Sequence, residues 1–143
     1  MEKIKIYTDG ACRGNPGRGG WGVFIITSEG NKKIFGGKLE TTNNEMELTA
    51  AIKGLEYFES STDLNVFTDS KYVMDGINSW IHKWKVNGWK TASKKPVKRS
   101  NLWIELDKLN NFHKVSWYWV KGHSGDSGND MADTLANQGI DSL

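Results

Sequence analysis

The sequence is short of cysteine and of long apolar runs, and these shortages exclude whole classes of protein. Cys12 is the single cysteine among 143 residues, so an intramolecular disulfide and a cysteine-based zinc cluster are excluded. The longest apolar stretch, residues 21–26, is far below the roughly 20 residues that cross a bilayer. The first seven residues hold no apolar signal-peptide core. We therefore expect a chain of a reducing, cytoplasmic compartment, with no membrane contact.

One segment lacks acidic residues altogether. The net charge is only +2, but residues 81–100 contain no Asp or Glu and seven basic residues, namely Lys83, Lys85, Lys90, Lys94, Lys95, Lys98 and Arg99. Removing these seven charges from the total leaves −5 for the rest of the chain. Trp80, Trp84 and Trp89 interleave with the lysines. A solvated basic face beside core tryptophans is one explanation, but so many unopposed charges favour a phosphate-binding surface with aromatic support.

The length predicts a single domain over residues 1–143, because one domain ordinarily uses roughly 100–200 residues. Alternating polarity and β-branched residues predict five strands, at residues 3–9, 21–27, 33–39, 64–68 and 115–120. A glycine-rich loop is predicted at residues 10–20. Helical spacing predicts five helices, at residues 45–58, 71–78, 80–86, 101–111 and 127–138. This order predicts an α/β fold, a mixed sheet with helices on its faces.

Small polar residues mark the predicted helix starts. Residues 41–44 offer N-caps for the first helix, and Ser70 and Ser100 are predicted to cap two later ones. Residues 127–130 resemble a capping box in which Asp130 takes the place of Glu or Gln. Two histidines are given no catalytic role. His82 is assigned to the basic segment and His113 to the surface.

Two predicted strands end in the same pattern. Residues 6–10 read Ile-Tyr-Thr-Asp-Gly and residues 66–70 read Val-Phe-Thr-Asp-Ser. A helix lies between them, so the two strands can be parallel neighbours, and adjacent strands are about 4.8 Å apart. Asp9 and Asp69 would then hold two carboxylates close together, an arrangement that a hard divalent cation such as Mg²⁺ stabilises. The alternative is that each Asp only forms a turn or caps a helix.

Three further residues are candidates for the same site. Glu47 lies in the first turn of the first long helix among apolar neighbours, so it is poorly suited to face solvent, although a Glu there also favours the helix dipole. Asp133 follows Asp130 by three residues in the last helix and is free to point at the carboxylates. His123 lies between glycines in a loop and is suited to carry a proton near neutral pH.

The chain resembles bacterial type 1 ribonuclease H along nearly its whole length. The matching stretches are residues 7–17 (YTDGACRGNPG), 41–48 (TTNNEMEL), 68–70 (TDS), 80–85 (WIHKWK), 88–91 (GWKT), 94–98 (KKPVK), 119–123 (WVKGH) and 129–136. They occur in the order and spacing of that family. The resemblance implies a ribonuclease H-like fold, a five-stranded mixed sheet of order 3-2-1-4-5 with helices on both faces and a basic protrusion, the handle, at about residues 80–99.

The resemblance also implies an activity and a set of site residues. The activity is endonucleolytic cleavage of the RNA strand in RNA/DNA hybrids. The metal-binding carboxylates fall on Asp9, Glu47, Asp69 and Asp133, and the mobile histidine falls on His123. The contacts to the hybrid fall on Cys12, Asn15, Thr42, Asn43, Asn44 and Lys71, and in the handle on Trp80, Lys83, Trp84, Lys85, Trp89 and Lys90. Lys71 departs from the family, in which Gln is common at that position.

These residues lead to the hypothesis of phosphodiester hydrolysis with two Mg²⁺ ions, Mn²⁺ being an alternative. The resemblance implies products with 5′-phosphate and 3′-hydroxyl ends. We expect a monomer without an obligate protein partner. Two other classes stay open. One is a non-catalytic module that binds hybrids or duplex RNA, and the other is an exonuclease or an integrase-like transferase on the same fold.

Overall fold

Five strands form one mixed sheet. The computed structural model describes residues 4–122 and 124–143. Its strands are β1 (Ile4–Arg13), β2 (Gly17–Thr27), β3 (Gly30–Thr41), β4 (Asp63–Thr68) and β5 (Lys114–Trp119). They lie in the order β3-β2-β1-β4-β5. The first three strands are antiparallel, and β4 is parallel to both β1 and β5. The expected mixed sheet and its strand order are therefore confirmed.

Within residues 4–122 and 124–143, five α-helices connect and cover the sheet. They are α1 (Asn43–Glu56), α2 (Lys71–Asp75), α3 (Ile81–Val86), α4 (Ser100–Phe112) and α5 (Ser127–Asp141). A π-helical turn, Gly76–Trp80, joins α2 directly to α3, so the two helices predicted there run into one another. In the described part of the chain, no helix is both long and apolar enough to cross a bilayer.

The alternation of side chains along β1 builds two apolar layers, one on each face of the sheet. Ile6 is fully buried in the larger layer, which contains residues of α1 and α4 such as Leu48 and Leu106. Tyr7 points to the other face, where it packs in the smaller layer with Leu135 of α5. Helices therefore lie on both faces, as expected, and they carry polar residues to the point where the parallel pairing of β1 and β4 ends.

The glycine-rich loop predicted at residues 10–20 is wrong. The end of β1 and the start of β2 pair through most of this segment, and only residues 14–16 form the turn. The glycines permit close packing instead of a loop. A Cβ at Gly10 would collide with the backbone of Met46 and Glu47, and a Cβ at Gly20 would collide with the carbonyl oxygen of Ala136. Both α1 and α5 can therefore lie directly against the sheet.

Two of the predicted helix caps are also wrong. Ser70 does cap α2, since its Oγ accepts a hydrogen bond from the Val73 N–H at 3.1 Å. Ser100 instead lies inside α4, because the preceding Arg99 has a left-handed backbone with φ 60° and supplies no side-chain cap. At α5 the cap is Asp126, whose carboxylate accepts from the Asn129 N–H at 3.0 Å. A carboxylate interacts more favourably with the helix dipole than the predicted Ser127 hydroxyl.

His113 lies in the interior, contrary to the predicted surface position. It is only 4% exposed. Its Nδ1 accepts from the Thr62 N–H at 3.1 Å, so its Nε2 carries the proton and donates to the Leu55 carbonyl oxygen at 2.9 Å. The ring thus ties the end of α1 to the segment that leads into β4. Such pairing satisfies a buried polar side chain through contacts distant in sequence.

Candidate metal centre and nucleic-acid interface

The parallel pairing of β1 with β4 brings Asp9 and Asp69 together. Thr8 is the register partner of Thr68, so the two Asp residues follow at equivalent positions where the parallel pairing ends. Asp69 comes directly after β4, whereas β1 continues past Asp9 to Arg13, so the first strand was wrongly predicted to end at residue 9. Asp9 is 5% exposed, and its Oδ1 accepts a hydrogen bond from the Gly10 N–H at 2.9 Å. The repeated pattern in the sequence thus corresponds to one shared edge of the sheet, where ligands commonly bind in α/β folds.

Glu47 reaches the same point from α1. The helix starts at Asn43 because the Thr42 hydroxyl accepts from the Glu45 N–H at 3.2 Å, and its first turns press on β1 at Gly10. Carboxylate oxygens of Asp9, Glu47 and Asp69 consequently lie within 4.8 Å of one another. The Glu47 Oε1 is buried, and no hydrogen-bond partner reaches it among the described residues.

Burial and crowding of like charges shift the pKa values of two carboxyl groups. Burial raises the pKa of Asp9 from 3.8 to about 8, with Asp69 and Asp133 adding to the shift through their negative charges. Burial likewise raises the pKa of Glu47 well above its usual range, and the charges of Asp9 and Asp69 act in the same direction. A divalent cation would favour the ionised form of every group in this cluster.

The donor set fits a hard divalent cation. All three nearby groups offer carboxylate oxygens, which are the ligands that Mg²⁺ and Mn²⁺ prefer. The Oε1 of Glu47, buried without a hydrogen-bond partner, is a polar atom for which a cation would supply the missing contact. The cluster is therefore suited to bind metal, which agrees with the use of divalent ions in the family it resembles.

Asp133 joins the cluster from α5. It lines, with the other three carboxylates, a cleft of about 330 Å³. The helix lies close enough because small residues face the sheet, and Ala132 and Ala136 are fully buried there. Asp130 is exposed in the first turn of α5, so of the two acidic residues it is Asp133 that faces the carboxylates.

Polar residues form the rim of the cleft. Cys12, Asn43 and Asn44 line it together with the carboxylates. The Asn15 Oδ1 accepts from the Asn43 N–H at 3.1 Å, which fixes the β1–β2 turn to the start of α1. The Cys12 thiol donates to the Thr41 carbonyl oxygen at 3.3 Å. The structure thus brings these predicted contact residues to one side of the carboxylate cluster.

The tryptophans of the basic segment form an aromatic cluster. Trp84 lies 5.9 Å from Trp80, 6.4 Å from Trp89 and 5.4 Å from the buried Trp103, measured between ring centroids. These contacts attach the segment to α4, so the rings have a structural role. Trp80 nevertheless keeps 36% of its surface exposed, which leaves an aromatic face available next to the lysines.

The lysines of the basic segment differ in whether an acidic side chain pairs with them. Lys85 pairs with Asp107 of α4 at 3.2 Å, so part of its charge is already compensated. Lys83 and Lys90 are exposed and belong to none of the ion pairs among the described residues. These two present the more available positive charges for a phosphate backbone.

His123 lies outside the described residues, so its expected role stays a prediction. The sequence interpretation assigned no role to Trp119, although the indole N–H of this residue donates to the carbonyl oxygen of Asp69 at 3.1 Å. It counted Arg99 only among the charges of the basic segment, whereas this residue donates to the Thr42 hydroxyl at 2.9 Å and so links the segment to the cap of α1. Trp119 lies in the strand predicted at residues 115–120, next to the strand that precedes Asp69, and this position was the available signal for its role. Nothing in the local pattern around Arg99 reveals its partner.

Comparisons with known proteins give a consistent result. The RNase H family model matches residues 1–141. The ribonuclease H of Ruthia magnifica subsp. Calyptogena magnifica is 60% identical over 144 aligned residues, which cover 100% of this chain and 99% of that protein. The ribonuclease H of Alcanivorax borkumensis is 56% identical, with 100% and 95% covered.

Solved structures agree with the sequence matches. The crystal structure of LC9-RNase H1, a type 1 RNase H with the type 2 active-site motif, superposes with a TM-score of 0.87 at 30% identity and covers 97% of this chain and 72% of that one. LC11-RNase H1 in complex with an RNA/DNA hybrid matches with a TM-score of 0.74 at 26% identity, covering 98% of both chains. The resemblance read from the motifs is confirmed: this chain belongs to the RNase H family, whose members are hydrolases that act on RNA in RNA/DNA hybrids.

Proposed function

We propose that the chain is a single catalytic domain over residues 1–143 that cuts the RNA strand of RNA/DNA hybrids internally, with two divalent cations. The observation that carries the proposal is the carboxylate cluster, in which oxygens of Asp9, Glu47 and Asp69 lie within 4.8 Å of one another. A structural role does not explain such a cluster, because like charges at this separation destabilise the fold.

Asp9, Glu47, Asp69 and Asp133 would hold the metal. Mg²⁺ is the preferred ion where phosphates are handled, and Mn²⁺ is an alternative. When bound, two such ions activate the attacking water and stabilise the leaving 3′ oxygen, which gives 5′-phosphate and 3′-hydroxyl ends. The protein contributes the placement of the four carboxylates. Burial and mutual repulsion raise the pKa of Asp9 and Glu47, and a bound cation would relieve that repulsion and favour their ionised forms.

His123 is proposed as the group that moves a proton during hydrolysis. It directly follows Gly122, which lies against the carboxylate of Asp69, and it precedes a loop in which Gly125 has φ 90°. Imidazole exchanges protons near neutral pH, so it suits this role. Loss of the imidazole is expected to lower the rate while leaving the affinity for the hybrid unchanged.

Recognition of the hybrid is assigned to two surfaces. Cys12, Asn43 and Asn44 line the cleft. Asn15 and Thr42 lie next to Asn43, where polar groups can contact 2′-hydroxyls and phosphates. The handle, about residues 80–99, adds Lys83, Lys85 and Lys90 beside Trp80, Trp84 and Trp89, with Lys71 as a further cation. LC11-RNase H1, a structural neighbour, was solved in complex with an RNA/DNA hybrid, which supports a hybrid as the ligand.

We propose that the enzyme works as a monomer in the cytoplasm. Cys12 is a free thiol, which fits the reducing conditions of the cytoplasm. The apolar layers on both faces of the sheet are filled by the chain's own helices, which fits a monomer that works without an obligate protein partner.

A chimeric substrate tests the proposal. A labelled RNA block inside a DNA duplex is incubated with the protein, with Mg²⁺ or with EDTA. Internal cuts that require Mg²⁺ and leave 5′-phosphates are expected. Asp69→Asn should abolish them, whereas Asp63→Asn, an exposed residue at the start of β4, should not.

Other outcomes distinguish the alternatives. Trimming from the ends would identify an exonuclease, and strand joining would identify a transferase. Tight binding of the hybrid without cleavage under any divalent ion would identify a binding module. Substantial cleavage by Asp69→Asn would refute the assignment of the four carboxylates.

A further inference from the structure

Trp119, the last residue of β5, is placed in a way that apolar burial does not explain. It leaves 44% of its surface exposed, whereas Trp103 is completely buried in the main layer. Burial of an aromatic ring is its chief contribution to a core. The position of this half-exposed indole is therefore explained by its polar contacts. These are made with two residues near the start of α2, Asp69 and Lys71.

The first contact is with the backbone of Asp69. The indole N–H of Trp119 donates to the Asp69 carbonyl oxygen at 3.1 Å. The next residue, Val120, donates its N–H to the Thr68 carbonyl oxygen at 2.9 Å. Farther along, a Cβ at Gly122 would lie 2.8 Å from the Asp69 Oδ2. The end of β5 thus fixes the backbone of Asp69 and leaves room for its carboxylate.

The second contact is with Lys71, which is exposed. Its Nζ lies 5.3 Å from the centroid of the Trp119 ring, in cation–π geometry. Within the described ranges, Lys71 belongs to no ion pair. An aromatic face holds an ammonium group without neutralising it, so Lys71 keeps its charge and its N–H donors for a phosphate.

We infer that Trp119 is a positioning residue with two effects, which rests on the proposed function. Through its indole N–H it sets the place of Asp69 in the metal site. Through its ring it holds the Lys71 ammonium beside that site, toward a phosphate of the hybrid. These two effects depend on different parts of one side chain, and substitution can separate them.

The variants follow from the two contacts. Trp119→Phe keeps an aromatic ring for Lys71 and removes the hydrogen bond to Asp69. Trp119→Leu removes both contacts, and Lys71→Met removes only the charge. The matched control is Trp117→Phe, because the Trp117 indole N–H donates to the Asn110 Oδ1 at 2.8 Å on the same strand but away from the cleft.

The first measurement is binding of Mn²⁺ alone to the substrate-free protein, with free Mn²⁺ quantified by EPR. Loss of a group that orients a ligand typically weakens metal binding by about tenfold or more. We expect Trp119→Phe to weaken Mn²⁺ binding by about tenfold, and Trp117→Phe and Lys71→Met to leave it within about twofold. Equal binding by Trp119→Phe and Trp117→Phe would overturn the effect on Asp69.

The second measurement is KM for the hybrid at saturating metal, as a function of salt. Lys71→Met is expected to raise KM and to reduce the salt slope by about one, as for one lost phosphate contact. Trp119→Leu should raise KM similarly, and adding Lys71→Met to it should have little further effect, since the two residues act as a unit. Additive effects of the two changes would overturn the link between them.

The experiments distinguish failure of the proposed function from failure of the role inferred for Trp119. If the unaltered chain cleaves no hybrid with any divalent ion, the proposed function is wrong, whatever the variants do. If it cleaves the hybrid but Trp119→Phe and Trp119→Leu match Trp117→Phe in both measurements, only the role of Trp119 is wrong.

Discussion

Removal of one negative charge from the carboxylate cluster should make the metal-free protein more stable. The pKa of Asp9 is raised from 3.8 to about 8, chiefly by burial. The folded protein therefore binds this proton more tightly than the unfolded chain does, so the free energy of unfolding falls as the pH rises through this range. Asp9→Asn keeps an oxygen for the Gly10 N–H and removes the charge, so it should abolish much of this fall.

The magnitude follows from two independent estimates. One pKa unit corresponds to about 1.36 kcal/mol, so three pH units between about pH 5 and pH 8 amount to about 4 kcal/mol. Two full charges within 4.8 Å of each other, at an effective dielectric constant of about 20, repel by about 3.5 kcal/mol or more. We therefore expect Asp9→Asn to exceed the parent protein in stability by about 2–4 kcal/mol at pH 8, and by much less at pH 5.

Urea unfolding followed by circular dichroism, in EDTA at several pH values, measures this difference. Asp63→Asn is the control, since Asp63 is exposed, and its stability should stay within about 0.5 kcal/mol of the parent. A lower stability of Asp9→Asn at pH 8, or a pH dependence equal to that of the parent, would refute the reasoning. Mg²⁺ should stabilise the parent more than Asp9→Asn.

The remaining predictions concern packing and charge. Gly20→Ala should lower the free energy of unfolding by about 2 kcal/mol or more in urea, because the new Cβ meets the Ala136 carbonyl oxygen; an unchanged stability would show that α5 is not in close contact. His113→Ala should cost about 2–4 kcal/mol, since it removes a buried ring, its hydrogen bond to the Leu55 carbonyl oxygen and the acceptor of the Thr62 N–H; a loss under 0.5 kcal/mol would contradict the pairing. Joint replacement of Lys83 and Lys90 by Ala should weaken hybrid binding and reduce its salt slope by about two; an unchanged slope would place both outside the interface.

The sequence predicts those features of the fold and site that depend on local pattern. Asp9 and Asp69 follow segments of the same composition with a helix between them, so their proximity follows from the parallel pairing of those segments. Glu47 stands among apolar residues of α1, and this alone indicated that it does not face solvent. The order of the elements likewise follows from periodicity and turn residues.

Features that depend on distant contacts escape this kind of interpretation. Gly10 and Gly20 lie in strands against which α1 and α5 pack closely, and no local pattern distinguishes that use of glycine from a loop. The environment of His113 is made by Thr62 and Leu55, which are more than fifty residues away. Trp119 acquires its contacts only when β5 pairs with β4.

Glu47 offers the most direct test of the central claim that the carboxylate cluster holds the cations that cut RNA. Its carboxylate is buried with an oxygen that lacks a partner among the described residues, so Glu47→Gln preserves the shape and removes the charge. The measurement is the cleavage rate of an RNA/DNA hybrid as a function of Mg²⁺ concentration. We predict a saturable dependence on Mg²⁺ for the parent, and a rate at least about 100-fold lower for a folded Glu47→Gln at every Mg²⁺ concentration. Cleavage by Glu47→Gln within tenfold of the parent rate, or full activity of the parent in EDTA, would contradict the claim.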